Sequence, residues 1–186
     1  MRDEYWQAAF WVFVVGSWTL GFAFKRWIGS GDFFLELGKA VSVPSPLELS
    51  AWWQPLAYFI FTVVAIFVLA QLFFGVGAGI FLFARGVCDG AIILSIENLA
   101  RGWSFPNIPT HDAWMLVLAV LILAVNLPLT IWSAHIGTQR AAHMWRRLKG
   151  QPVKPESTAK PMFSFLLILA ASIATGLAAA VAFSYA

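Results

Sequence analysis

The chain has 186 residues, of which 60% are hydrophobic and 11% charged, whereas a soluble globular domain carries about 25% charged residues. So few charges cannot clothe a water-facing surface, and the apolar residues fall in blocks longer than a globular core helix needs, so lipid is the expected solvent. The net charge of +3 does not read as a nucleic-acid footprint, because half of the twelve Lys/Arg sit in one short connection, where membrane orientation requires them.

A bilayer span takes about 20 apolar residues, which caps the chain at five or six helices with short loops. The N-terminal stretch does not read as a cleaved signal: Arg2, Asp3 and Glu4 come first, the apolar run over 6–24 is full length, and no small-x-small site precedes Lys25. It is the first expected span. Residues 32–41 place Phe33, Phe34, Leu37 and Val41 near one helical face, with Glu36 and Lys39 elsewhere, which suits a short helix in the headgroup layer. Ser45, Pro46 and Glu48 read as a helix start with a capping box, and Trp52 and Trp53 fall where an interfacial aromatic belt belongs.

From 54 to 98 the chain is long enough for two spans, read as a hairpin: span two over 55–74, a turn near 75–79, and span three to about 98. The alternative is one long tilted helix to Arg85 with a half-helix returning behind it. The loop 101–112 contains Pro106 and Pro109, and Thr110 can cap span four over 113–137. An amphipathic basic helix over 140–150 follows, then a Pro/Ser/Thr linker over 151–161 and span five over 162–186. The fold class is therefore all-α, a polytopic membrane bundle of about five helices with interfacial segments at 32–53 and 140–150. The connection between spans four and five holds Arg140, Arg146, Arg147, Lys149, Lys154 and Lys160, and Arg2 lies on the same side, against Lys25, Arg26, Lys39 and Arg101 on the other. That asymmetry places the N-terminus in the cytoplasm and the C-terminus outside the cytoplasmic membrane.

Candidate residues lie inside the spans. Gly75, Gly79, Gly86 and Gly90 are spaced to share one helical face, and such faces let another backbone approach closely in lipid. Ala171, Thr175 and Ala179, beside Ser172, Gly176 and Ala180, form a second small-residue face. Arg85 and Asp89, four residues apart, can pair; ionisable groups at membrane depth usually mark function, and the alternative is that this pair neutralises itself and snorkels to the edge. Asn126 and Pro128 lie mid-span. Pro128 removes a backbone bond, strands the Ala124 carbonyl and predicts a kink, while Asn126 can bond across to another helix.

Other chemistries lack their residues. Cys88 is the lone cysteine, which leaves no internal disulfide and no Cys-based metal or covalent haem motif. His111 and His135 are 24 residues apart, about 36 Å along a helix, so a bis-histidine haem within the chain is not expected. No HExxH, GxSxG or Walker pattern occurs. The expectation is a non-enzymatic protein with no catalytic, cofactor or metal site.

Two stretches carry a resemblance. Residues 74–90 form a small-residue turn followed by an apolar run that ends in Gly86-x-x-x-Gly90, and 126–137 run Asn126-Leu127-Pro128 through an apolar stretch to Gly137. They resemble, respectively, the glycine-rich hairpin and the Glu-Leu-Pro-Ala segment of the stage II sporulation protein M (SpoIIM-like) family of integral membrane proteins. Asn126 stands where that family typically has an acidic residue, and Arg85 where an Asn often precedes the glycine. The resemblance implies a membrane protein that recruits or scaffolds partners and has no catalytic residues. The expected function is thus a scaffold or assembly protein, its partners the lipid bilayer and identical or other membrane or envelope subunits. A transporter subunit partnered by an ATPase, with Arg85, Asp89 and Asn126 as polar lining, and an accessory subunit of a larger respiratory or other membrane complex are the alternatives.

Overall fold

A computed structural model of the chain describes residues 2–28, 51–102, 109–150 and 156–184, and all the regular structure among them is helical. The expected headgroup helix over 32–41 and the helix start at Ser45 lie outside the described residues. Among the described residues six α-helices follow in order: α1 (Arg2–Ile28), α2 (Gln54–Leu72), α3 (Val76–Ala100), α4 (Thr110–Val120), α5 (Leu127–Leu148) and α6 (Glu156–Ser184). A π-helical turn, Leu121–Asn126, joins α4 to α5 without a break. Among the described residues, five stretches are long and apolar enough to cross a membrane: 8–27, 54–72, 76–98, 112–148 and 159–181. The protein is an all-α bundle with a multi-pass membrane topology.

The stretch 54–98 is a two-helix hairpin. Helix α2 starts tightly, with Pro55 in its first turn, where a missing N–H costs nothing, and with the Gln54 side chain accepting the Ala51 N–H at 3.2 Å. It ends where Phe74 and Gly75 both turn left-handed, at φ 48° and 91°, and the Gly75 N–H donates back to the Ala70 carbonyl at 2.9 Å. Glycine tolerates that backbone without strain. Phe74 is held in it by an edge-on contact with Trp145, ring centroids 5.5 Å apart. This corrects one sequence expectation: Gly75 belongs to the turn and not to the helical face of Gly79, Gly86 and Gly90, and a Cβ there would meet Thr138 on α5 and, at 3.8 Å, the Phe10 ring on α1.

Helices α1 and α3 run parallel, and their backbones touch. A methyl on Gly86 would overlap the Trp18 carbonyl oxygen, and one on Gly21 the Phe83 carbonyl oxygen. Helix α2 holds the middle of the bundle, packed on α3, α5 and α6. At one level Val14, Ile66, Leu82 and Ala134 join four helices. At another, Phe67 stacks on Phe165 with centroids 3.7 Å apart and planes 14° from parallel. On α6, Gly176 lies against Leu56 and Phe59. Ser172, Ala179 and Ala180 are buried while Ala171 is exposed, so only part of that small-residue face turns inward.

The break in pairing that Pro128 imposes is taken up one turn earlier. The Leu127 N–H donates to the Ile122 carbonyl five residues back, so the ladder widens into a π-turn ahead of the proline. Thr110 is the first helical residue of α4 and not its cap; Pro109 stands at the cap position, with no side-chain cap bond. Helix α6 begins earlier than the expected start at 162, at Glu156, with Pro161 inside it.

Candidate functional site

Arg85 and Asp89 lie near the middle of the 76–98 span, 4% and 0% exposed. Bringing a charge to that depth costs about 2.5–3.5 kcal/mol on insertion scales, so each must find partners inside the bundle. Arg85 uses all three of its nitrogens: Nε donates to Asp89 Oδ2 at 3.4 Å, one terminal nitrogen to Thr130 Oγ1 at 2.7 Å, and the other to the Ile122 carbonyl at 3.4 Å. Its guanidinium also lies 5.8 Å from the Tyr58 ring centroid, within cation–π range. The alternative in which the pair snorkels to the membrane edge is not what the bundle does.

Asp89 Oδ2 accepts a second bond, from the Trp18 indole N–H at 2.8 Å, across to α1. Oδ1 is buried and, among the described residues, has no hydrogen-bond partner. The π-turn faces this pair. Asn126, fully buried, donates from Nδ2 to the Phe59 carbonyl at 3.3 Å and accepts from Thr62 Oγ1 at 3.1 Å. Thr130 Oγ1 in turn donates a hydrogen bond to the Asn126 carbonyl at 2.7 Å. Ser172 on α6 donates to the same Phe59 carbonyl at 2.7 Å, and Ser133 on α5 to the Val63 carbonyl at 2.9 Å. A single polar centre thus runs from α1 through α3 and the π-turn to α2 and α6.

Of the residues singled out in the sequence, Arg85, Asp89 and Asn126 fall in this centre. Gly79, Gly86 and Gly90 lie along the contact with α1, Gly176 packs on α2, and Gly75 is in the turn. Asn126 is both part of the irregular turn and a cross-helix donor, so the two readings of it coexist. Sequence reasoning missed Trp18, Tyr58, Thr62, Thr130 and Ser133, and read Ser172 as part of a packing face and not as a hydrogen-bond donor. A signal existed for some of them: Trp18 is the tryptophan furthest from either end of its span, too deep for an aromatic belt, and Thr130 follows Asn126 by one helical turn. Glu97 instead pairs with Arg26 near the far end, at 3.5 Å with both side chains substantially exposed. His135 stacks on Trp11 with centroids 5.3 Å apart, and its Nε2 lies 2.9 Å from Gln139 Nε2. Among the described residues, no three His, Cys, Asp or Glu side chains gather into a group of metal-site size.

Chemically the centre can hold a charge pair at depth, tie all five spans together, and accept a proton or a hydrogen-bond donor at Asp89 Oδ1. Compared with protein-family models, curated proteins and solved structures, the chain matches none.

Proposed function

We propose that this protein is a non-enzymatic membrane scaffold or assembly subunit, set in the cytoplasmic membrane with its N-terminus inside, that recruits a partner through the basic end of its fourth span. The observation that carries this reading is the length and make-up of that span. The helical stretch Asp112–Leu148 has 37 residues, about 55 Å of helix, against a hydrocarbon layer of about 30 Å. Its last turns therefore stand clear of the lipid core. They carry exposed Arg146, Arg147 and Lys149 beside exposed Met144, Trp145 and Leu148. The post is rigid, because the same helix is locked into the bundle through Asn126, Thr130 and Ser133. Its foot touches the α2–α3 turn through Phe74 and Trp145, so this end of the bundle is the one rich in positive charge, in line with a cytoplasmic location.

The test is purification in gentle detergent from the native membranes, with co-purifying subunits identified and counted, for the wild type and for Arg146→Glu/Arg147→Glu/Lys149→Glu. The scaffold reading expects a defined partner that is lost on charge reversal while the bundle's thermal stability is unchanged. Recovery without any partner, or a partner indifferent to the reversal, would sink it.

A second reading, a transport subunit, draws on one observation: the open oxygen of Asp89 at the centre of the membrane. It expects a neutralised pair, Arg85→Met with Asp89→Leu, to abolish flux in vesicles with assembly preserved. Partner binding that survives and flux that never existed would decide for the scaffold.

A further inference from the structure

The two oxygens of Asp89 stand in different surroundings. Oδ2 is satisfied twice, by the Trp18 indole and by Arg85 Nε, whereas Oδ1 is buried with no hydrogen-bond partner among the described residues. A buried acceptor left open costs about 1–3 kcal/mol, and more when the group is charged. Partly satisfied networks in a low-dielectric interior concentrate that cost in one atom.

The rest of the centre is arranged to survive neutralisation of this carboxylate. Arg85 does not hang on Asp89 alone, since Thr130 Oγ1 and the Ile122 carbonyl take its terminal nitrogens and the Tyr58 ring lies alongside. A neutral carboxyl still offers Oδ2 as an acceptor to the Trp18 N–H. Asp89 can therefore gain a proton with both neighbours still holding a hydrogen-bond partner, although Arg85 then loses its counter-ion, which makes uptake costly. The ionisable groups that interact with it are Tyr58 on α2 and Arg85 and Cys88 on α3, with Lys25 on α1 beside Cys88. From the fourth and fifth spans, Asn126, Thr130 and Ser172 are uncharged. Among these described neighbours no second carboxylate competes for the proton.

We propose that Asp89 is a reversible proton-binding site inside the membrane. A proton delivered by hydronium forms an O–H bond at Oδ1 and leaves water behind; Oδ2 keeps the Trp18 bond, and Arg85 stays on Thr130 and the Ile122 carbonyl. Its bond to α1 then loses the charge assistance of a carboxylate, so proton uptake loosens the polar tie between α1 and α3. This holds whichever reading of the overall function is correct.

Infrared difference spectroscopy on protein in liposomes, stepped between about pH 9 and pH 5 across the range where carboxyl groups in unusual settings titrate, reads the event directly. Carboxyl-isotope-labelled aspartate marks the bands. The chain has four aspartates, Asp3, Asp32, Asp89 and Asp112. A variant with Asp3, Asp32 and Asp112 each changed to Asn leaves Asp89 as the single labelled group. The expected result is a protonated-carboxyl C=O stretch that appears on acidification, shifts with the isotope and is absent in Asp89→Asn. If Asp89→Asn does not fold, the isotope shift in the triple variant decides alone. No isotope-sensitive C=O band across that range, or one of constant intensity at every pH, would overturn reversible proton binding.

Discussion

The parallel contact between α1 and α3 predicts which glycines cannot carry a methyl group. At Gly86 an added Cβ would fall on the Trp18 carbonyl oxygen, well inside the roughly 3.3–3.6 Å at which a carbon and a carbonyl oxygen normally meet. The obstacle is backbone on both sides, so relief requires the two helices to separate. Overpacking of this kind costs about 1–3 kcal/mol. Alanine's better helix propensity, up to about 1 kcal/mol, works against that loss. Gly16 provides the control, because nothing lies within 4 Å of a Cβ placed there. The propensity gain is the same in Gly86→Ala and Gly16→Ala, so the difference between them isolates the clash, and we expect Gly86→Ala to be about 1–3 kcal/mol less stable. Gly21→Ala, against the Phe83 carbonyl oxygen, should match Gly86→Ala. Gly79→Ala should be milder, because its obstacle is the rim of the half-exposed Phe13 ring, which can swing aside. Reversible unfolding in mixed micelles of increasing denaturing-detergent fraction measures the series. Equal stability of Gly86→Ala and Gly16→Ala would refute the close approach of α1 and α3.

Removing one member of the buried ion pair should be far worse than removing both: Asp89→Ala is expected to cost about 3–5 kcal/mol, and Arg85→Met with Asp89→Leu to recover most of it, by the same unfolding assay. Ser172→Ala and Asn126→Ala each delete bonds at the Phe59 carbonyl; interhelical bonds in lipid average about 0.6 kcal/mol and reach about 1.7, and a double-mutant cycle should show the two coupled through their shared acceptor. Glu97→Gln breaks an exposed pair with Arg26 and should change stability by less than about 1 kcal/mol, with any effect fading as salt is raised.

Hydropathy is a local property, and what depends on it was legible in the chain. Runs of apolar residues marked the spans, Gly75 and its neighbours marked a turn between two of them, and the Arg85–Asp89 spacing put both side chains on one side of a helix. Spacing within one helix could not say where that side faced. The sequence left open whether Arg85 reached the membrane edge, because depth depends on where the hairpin turns, and the left-handed pair Phe74–Gly75 decides that. Nor could spacing foresee that Gly75 would leave the glycine face. The glycines at 79, 86 and 90 were readable as a close-packing face, but the helix lying on it, α1, was a tertiary outcome.

The polar centre shows the same division. Trp18 and Asp89 are 71 residues apart, Arg85 and Thr130 are 45, and Asn126 and the Phe59 carbonyl are 67. No periodicity links such positions; they meet because α1 and α3 lie parallel in one register while the π-turn ahead of Pro128 faces the pair. The sequence by itself determined that the chain partitions into lipid as helices and that a few polar residues must be buried there. Which of them share one centre was decided by the tertiary structure alone, because in lipid each buried polar group must be satisfied by whatever the packing brings within hydrogen-bonding distance.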